Sequence, residues 1–277
     1  MTSQFTVSSH HPSILDSYSH STVDAASGGF VAPFVNPDLV WDFRLEKVVS
    51  SNVSVHKYGL VYPGVGWCIW RDPKYLPTEL IFNINYLGAD QASLTLNFSR
   101  GASQVLGQYY QLIRLGKHGY RAIMFNLTKT ADYLAASVEK MGFQLMSKTR
   151  GNGLPLVAFR LNPDDGHKFD EFAIAHQLRQ RGWVVPAYTM APHSEGLKMM
   201  RVVVREDFSH SRCNALIADI KLAMETLGKM DEQKIQEHKE QIKKHGTATG
   251  RHKKMNQHFT DEKHSLQGKT GKTHAVC

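Results

Sequence analysis

The fold is decided by the stretch Asn52-Val53-Ser54-Val55-His56-Lys57-Tyr58-Gly59, which places a lysine a few residues after the β-branched pair Val48-Val49. A second stretch, Val23-Asp24-Ala25-Ala26-Ser27-Gly28-Gly29-Phe30, places an aspartate before a run of small residues. Short apolar segments broken by Gly and Pro are typical of strands joined by tight turns. We therefore predict an α/β sheet with an amine and a carboxylate near the ends of its strands.

Lys57 and Asp24 are informative only as a pair. Lysines are mostly solvent-exposed, and an aspartate after an apolar run usually ends a strand or caps a helix. Together, however, they are the two groups that pyridoxal phosphate requires. The lysine binds the cofactor through its amine, and a buried aspartate keeps the pyridine nitrogen protonated. The pair predicts a pyridoxal phosphate site.

The motifs around this pair closely resemble glutamate decarboxylase of the bacterial, plant and fungal type over residues 23 to about 225. The resemblance implies pyridoxal-phosphate-dependent decarboxylation of L-glutamate to 4-aminobutyrate and carbon dioxide, by a carbon-carbon lyase of fold type I. It also implies that a long N-terminal half of the family pattern has no counterpart in these 277 residues. Besides the two stretches above, the motifs are 37–45, 62–67, 87–91, 97–99 and 200–208.

The resemblance assigns roles to seven residues. Lys57 is the catalytic residue, which binds the cofactor and returns a proton to the α-carbon. Asp24 pairs with the pyridinium nitrogen, and Ala26 lies against one face of the ring. Ser54 and His56 donate to the cofactor phosphate.

Two further residues complete the predicted set. Ser99 matches a serine that reaches the phosphate bound in a neighbouring subunit, although a serine near the start of a helix can equally be a cap. Arg201 matches the arginine that binds the substrate α-carboxylate, for which a planar guanidinium is suited. Arg205 is interpreted as a structural ion-pair partner. The set contains no metal site.

Two positions depart from the family pattern. Val55 stands where the family usually has glycine, so we expect strain there if the backbone needs a positive φ or a close approach to the phosphate. Thr22 replaces a usual histidine. Both departures bear on whether this chain decarboxylates glutamate by itself.

The alternation of apolar segments predicts four regions. An irregular, Ser/Thr/His-rich N-terminus covers 1–22, and a truncated cofactor-binding large domain with a linking helix covers 23–127. A small C-terminal α/β domain, with strands near 153–161, 183–185 and 199–204 and helices at 170–181 and 211–227, covers 128–228. A basic tail covers 229–277 and is predicted to be largely disordered.

Composition limits the functions that this chain can have. The net charge is +8, but residues 229–277 hold eleven Lys/Arg against six Asp/Glu, and no nucleic-acid-binding motif appears, so we predict no nucleic acid partner. Three cysteines without metal-ligand spacing favour a reducing compartment, the cytoplasm. No apolar run is long enough to span a bilayer, so we predict no membrane association.

Several alternatives stay open at this point. The family resemblance implies a homo-oligomer, a dimer or hexamer, when the protein is full length. The tail invites comparison with the calmodulin-binding extensions of plant members, but it has no tryptophan and few apolar anchors at helical spacing. The rival functions are a non-catalytic chain that binds an intact subunit or calmodulin, and a different pyridoxal-phosphate-dependent amino-acid decarboxylase.

Overall fold

The computed structural model describes the backbone of residues 6–9, and residues 20–85, 88–94, 101–191, 193–194, 196–230 and 240. The chain divides into two compact units. The first comprises Met1–Arg160 and Arg201–Ile217, and the second comprises Leu161–Met200 and Ala218–Cys277. This division follows contacts in space, and the predicted domain boundaries stay a prediction.

The first unit begins with a sheet of four strands. Its central strand β3 carries Val48, Val49 and Val53, which are all buried and anchor the sheet in the core. In spatial order the strands are β1 to β4; β2 and β3 run parallel, and the outer pairs are antiparallel. The strands are β1 (Thr6–Ser9), β2 (Ser21–Asp24), β3 (Val48–Val53) and β4 (Trp67–Trp70).

The N-terminal segment predicted to be irregular contains two regular stretches. β1 lies within it and pairs with β2, where Val7 faces Val23 across the ladder. β2 itself begins at Ser21. These strands were not predicted because their Ser and Thr residues give little alternation of apolar and polar side chains. The strands form nevertheless, since backbone hydrogen bonds to a neighbouring strand do not depend on side-chain hydrophobicity.

A long helix, α2 (Ser103–Lys140), confirms the predicted helix; it lies wholly within the first unit, and its role as a link between domains stays a prediction. Gly116 interrupts it with a φ of 54° and a ψ of −167°, so two helical segments meet at a kink there. The second segment buries Tyr120, Met124 and Leu134. Before α2 lie the short helix α1 (Ala32–Val35) and a hairpin of β5 (Phe82–Ile84) and β6 (Gln91–Ser93).

The first unit ends with a second group of strands. β7 (Gln144–Leu145) pairs antiparallel with β8 (Leu156–Arg160), and β10 (Lys198–Val203), of which the residues from Arg201 onward belong to this unit, follows β8 in the strand order. The rings of Phe143 and Phe159 meet edge to face with centroids 5.1 Å apart, and both are buried.

The second unit contains α3 (Glu171–Gln180), which confirms the helix predicted over 170–181. Asp170 caps it by accepting from the Ala173 N–H at 3.1 Å. The strand predicted over 183–185 is wrong, because the structure has β9 (Ala187–Thr189) a few residues later. At the predicted position, the Trp183 indole donates to Asp219 at 2.7 Å, so a side-chain contact is found there and not the hydrogen-bond ladder of a strand.

The last element, α4 (His210–Gly228), confirms the helix predicted over 211–227. Among the described residues, no helix combines the length and the apolar character that a bilayer crossing needs. The basic tail beyond residue 230 lies almost wholly outside the described residues.

Candidate active site

The candidate site forms at the edge of the first sheet where β2 and β3 both end. The two strands are parallel, and Asp24, the last residue of β2, faces Asn52 of β3. The carboxyl ends of neighbouring parallel strands therefore meet at one edge, which is where ligands bind in α/β sheets. Lys57 lies four residues beyond Val53, the last residue of β3.

Backbone hydrogen bonds hold the two segments together beyond the strands. The Ala25 N–H donates to the Asn52 carbonyl at 3.1 Å, and the Ser54 N–H donates to the Ala26 carbonyl at 3.1 Å. Ala26 and Ser54, both predicted to contact the cofactor, are consequently neighbours. The ladder thus brings the segment of Asp24 and the segment of Lys57 to the same edge of the sheet.

The Asp24 side chain closes a turn at the end of β2. One carboxylate oxygen accepts from the Ala26 N–H at 3.0 Å. The sequence had left open that Asp24 caps a helix, but the following single 3-10 turn, Gly28–Phe30, is preceded by Ser27 instead. Asp24 is solvent-exposed, so the expectation of a buried aspartate is wrong for this chain: Asp24 is the last residue of β2, and its side chain points away from the core that buries Val23 and Ala25.

Lys57 sits on a tight turn with its amine exposed. The Lys57 N–H donates to the Ser54 carbonyl at 3.1 Å, and the Leu60 N–H donates to the Lys57 carbonyl at 3.3 Å. Within the part of the chain that the structure describes, no side-chain hydrogen bond or ion pair engages Lys57 or His56. Lys57 is solvent-exposed, so its side chain can be reached from solvent.

Val55 shows none of the backbone strain that its position suggested. Its φ is not positive, since the described non-glycine residues with positive φ are Leu60, Arg150 and His193. Its side chain is fully buried, so the valine serves the core. The tight approach falls at Gly59 instead, where an added Cβ would lie 2.8 Å from the Val55 Cα and closer still to its carbonyl oxygen.

Three side chains of α2 fasten the lysine turn. The Tyr120 hydroxyl donates to the Gly59 carbonyl at 3.0 Å, and the Gln108 amide donates to that hydroxyl at 3.3 Å. Gln111 donates to the Leu60 carbonyl at 3.2 Å. Burial raises the pKa of the Tyr120 hydroxyl, so it remains a hydrogen-bond donor across the ordinary pH range.

We expect Tyr120→Phe to loosen this turn. Loss of the hydroxyl removes the best donor to the buried Gly59 carbonyl and one partner of Gln108, which should lower the free energy of unfolding by about 1–3 kcal/mol. Urea denaturation followed by circular dichroism measures the change. The matched control is Tyr109→Phe on the same helix, whose ring is 64% exposed and which should unfold like the wild type. Equal midpoints for both variants would contradict the anchoring role.

A cavity of 420 Å³ opens beside the lysine turn. Lys57 and His56 line it from the turn, and Tyr110 and Gln111 line it from α2. Arg205 and Glu206 close another side. The cavity therefore combines an amine, an imidazole and a guanidinium, which together suit an anionic ligand that reacts with an amine.

Arg205 is the site residue that sequence reasoning did not select. It pairs with Glu206 at 3.2 Å, as an ion-pair partner should, but it also lines the lysine cavity. Arg201 is not among the residues that line this cavity. Exposure alternates from 201 to 205, so Arg201 on β10 and Arg205, two residues beyond the end of β10, share one exposed side. That two-residue period was readable in the sequence.

Ser99 lies outside the described residues, so its predicted contact with a cofactor phosphate stays a prediction. A larger cavity of 1010 Å³ lies elsewhere in the first unit, beside the second segment of α2. None of the predicted site residues lines it. Of the predicted site residues that the structure describes, Lys57 and His56 line the smaller cavity, whereas Asp24, Ala26, Ser54 and Arg201 do not.

Comparison with known proteins agrees with this geometry. The family model of the pyridoxal-dependent decarboxylase conserved domain matches residues 14–162, which is more than half of the chain. The chain belongs to the pyridoxal-dependent decarboxylase family. Its matched part includes the strands β2 and β3, the lysine turn and the whole of α2.

Individual members of the family are similar over most of this chain. A glutamate decarboxylase of Petunia hybrida is 48% identical over 264 residues, 92% of this chain and 52% of the relative. One from Lactococcus lactis subsp. lactis (strain IL1403) is 47% identical over 208 residues, 75% of this chain and 44% of the relative. The chain therefore spans about half the length of the curated relatives it matches.

A solved structure shows the same fold. The glutamate decarboxylase of Lactobacillus brevis CGMCC 1306 superposes with a TM-score of 0.71 at 45% identity, covering 76% of this chain and 47% of that chain. The predicted fold class is confirmed: the chain is a partial fold-type-I α/β structure.

Proposed function

We propose that this chain supplies the lysine-bearing part of a pyridoxal-phosphate-dependent glutamate decarboxylase, which converts L-glutamate to 4-aminobutyrate and carbon dioxide. One observation carries the proposal. In a chain of this family, the Asp24 end of β2 and the Lys57 turn after β3 share one edge of a parallel strand pair.

The donor set at this edge fits pyridoxal phosphate. Asp24, His56 and Lys57 are exposed, and Ala26 and Ser54 are half-buried beside them. A carboxylate for a ring nitrogen, a small side chain for a ring face, and an imidazole and a hydroxyl for a phosphate are all present. We expect these five residues to hold the cofactor, with Ser99 as a further phosphate donor.

When bound, pyridoxal phosphate supplies an electron sink for the α-carbon of an amino acid. Lys57 would hold the cofactor through its amine and would return a proton to the substrate α-carbon. Asp24 would offer its carboxylate to the ring nitrogen and so favour the protonated form of that nitrogen. Both roles need side chains that are held in position and stay accessible to a ligand. The turns that carry Asp24 and Lys57 meet both requirements.

Arg201 is proposed to bind the substrate α-carboxylate, and Arg205 is the nearer guanidinium at the lysine cavity. An arginine that binds the α-carboxylate through two hydrogen bonds would fix the orientation of the bond to be broken. Its contribution would be to position the substrate. Parallel variants Arg201→Lys and Arg205→Lys separate the two. The arginine that grips the substrate should raise KM for glutamate when replaced, because lysine cannot make the paired contact.

We expect Asp24→Asn to lower the rate of glutamate decarboxylation by about 10²- to 10³-fold, the usual cost of removing one electrostatic partner of the reacting system. The assay measures carbon dioxide release by this chain co-expressed with a partner polypeptide, namely the part of the Lactococcus lactis relative outside its 208 aligned residues. Glu46→Gln, at the opposite end of β3, removes a charge of the same sign and should leave the rate unchanged. A rate for Asp24→Asn within threefold of the control, about 0.7 kcal/mol, would contradict the role.

Substrate, assembly and location are proposed on different grounds. Relatives named glutamate decarboxylase favour L-glutamate, and a panel of other amino acids tests the rival of a different decarboxylase. A homo-oligomer is proposed from the family resemblance, and a cytoplasmic location from the three cysteines without metal-ligand spacing. Calmodulin binding concerns the basic tail, outside the described residues, and calcium-dependent capture on calmodulin tests it.

A further inference from the structure

The lysine turn is tied to a distant part of the first unit through one backbone oxygen. The Tyr58 hydroxyl donates to the Pro155 carbonyl at 3.2 Å, across 97 positions of sequence. The Val204 N–H donates to the same carbonyl at 2.8 Å. A carbonyl oxygen has two lone pairs and can accept both hydrogen bonds at once. The Pro155 oxygen therefore joins the residue after Lys57 to the residue before Arg205.

This tie lies in the core of the first unit. Tyr58 is only 6% exposed, and Val204 is fully buried. Burial raises the pKa of the Tyr58 hydroxyl, which therefore stays protonated and able to donate across the ordinary pH range. Because the hydrogen bond is buried, solvent offers no ready substitute for either partner. We expect the tie to persist as long as the first unit is folded.

Both ends of the tie lead directly into the candidate site. Lys57 precedes Tyr58 and Arg205 follows Val204, and the lysine and the arginine both line the 420 Å³ cavity. At each end, a buried anchor stands next to an exposed, positively charged side chain. The tie therefore joins the backbone that carries the amine to the backbone that carries the guanidinium.

The contacts of the lysine turn with α2 do not fix this spacing. Tyr120 and Gln111 hold the carbonyls of Gly59 and Leu60, so they secure the turn against the helix. Among the described residues, no hydrogen bond or ion pair joins α2 to residues 204–206. A connection between the turn and the arginine side of the cavity must come from elsewhere, and the Pro155 oxygen provides one.

We propose that Tyr58 is a positioning residue of this site. Through the Pro155 carbonyl, it fixes the spacing between the Lys57 amine and the Arg205 guanidinium, so that one carboxylate-bearing ligand is held by both. Two cations at a fixed distance bind an anion more tightly than two that move independently, because less conformational freedom is lost on binding. The inference rests on the proposed function for the place of the site, and not for the reaction.

Protection of Lys57 from acetylation tests this role without any cofactor. The 277-residue chain is treated with acetic anhydride at increasing concentrations of glutarate, the dicarboxylate that lacks the amino group of glutamate. Peptide mapping by mass spectrometry gives the glutarate concentration that halves the acetylation of Lys57. The exposed Lys47 is the internal reference in every sample. We expect glutarate to protect Lys57 and to leave Lys47 unprotected.

Tyr58→Phe removes the hydroxyl and keeps the ring. The Pro155 oxygen still accepts from the Val204 N–H, so we expect the variant to fold, which circular dichroism checks. The half-protecting concentration of glutarate should rise by about three- to tenfold, the effect of losing one hydrogen bond. Tyr109→Phe, which removes a hydroxyl from an exposed ring, is the control and should protect like the wild type.

A double variant separates positioning from a general loosening of the structure. Arg205→Lys keeps the charge and a measurable protection, but a lysine on its flexible stem has no rigid fork to position. We therefore expect Tyr58→Phe to change the half-protecting concentration by less than about twofold when residue 205 is lysine. A merely structural role would instead give equal changes in both backgrounds, because independent effects are additive.

Four results overturn the proposal: equal changes in the two backgrounds, no change in Tyr58→Phe, failure of that variant to fold, and no protection of Lys57 by glutarate in the wild type. The proposed function is judged separately, because protection is measured without pyridoxal phosphate. A chain in which glutarate protects Lys57 as expected, but which does not decarboxylate glutamate with its partner polypeptide, contradicts the proposed function alone.

Discussion

Replacing Lys57 with alanine is expected to abolish specific attachment of pyridoxal phosphate to this chain. The Lys57 amine is exposed on its turn, lines the 420 Å³ cavity and has no side-chain partner among the described residues. Incubation with the cofactor, borohydride reduction and peptide mapping by mass spectrometry should find the label chiefly on Lys57. Decarboxylation with the partner polypeptide present should fall by about 10²- to 10⁴-fold from lost proton transfer alone.

Lys47 is the matched control for this experiment, because it is an exposed lysine at the opposite end of the same strand. Both lysines offer an amine to solvent, but only Lys57 has the Asp24 segment beside it. Lys47→Ala should retain the label on Lys57 and the activity. Equal labelling of Lys47 and Lys57 in the wild type would show that the turn is no cofactor site.

The second large effect is expected for Gly59→Ala. Gly59 follows the lysine by two residues, and an added Cβ would lie 2.8 Å from the Val55 Cα and closer still to the Val55 carbonyl oxygen. Both are backbone atoms, so no side-chain rotation relieves the overlap. The turn must shift, at a cost on the order of 3 kcal/mol, and the Lys57 amine shifts with it.

Chemical denaturation and the borohydride labelling experiment measure both consequences of Gly59→Ala. We expect a lower midpoint of unfolding together with reduced labelling of Lys57. Gly101→Ala is the control, since a Cβ there lies 3.9 Å from its nearest neighbour, the hydroxyl of Ser103. Unchanged stability and labelling in Gly59→Ala would show that the turn adapts without strain.

Local sequence was enough to predict the elements whose signals are local. The helices α3 and α4 carry apolar residues at helical spacing, and both were expected near their observed bounds, over 170–181 and 211–227. The strands β1 and β9 were missed or misplaced because short strands owe their existence to the partner across the ladder. Arg205 was undervalued because its place at the cavity depends on where a distant turn falls.

The α2 segment shows where local pattern misleads. Its first segment carries an apolar stripe on one side, made of Val105, Leu106, Tyr109, Leu112 and Ile113. In the structure this stripe is the exposed side, because Gln108 and Gln111 are used to hold the lysine turn. A hydrophobic period indicates that a face will be covered, but it does not say by which polypeptide.

Sequence by itself determined the chemistry that this chain can carry. The identities of Lys57, Asp24 and their neighbours are given by the sequence itself. The order of these residues along the chain was enough to indicate the family. Tertiary structure alone decided that β2 and β3 are parallel neighbours, that Val55 serves the core, and that Gly59 and Tyr120 hold the turn. Residues far apart in the chain meet only when hydrogen-bond ladders and burial of apolar area select one register among many.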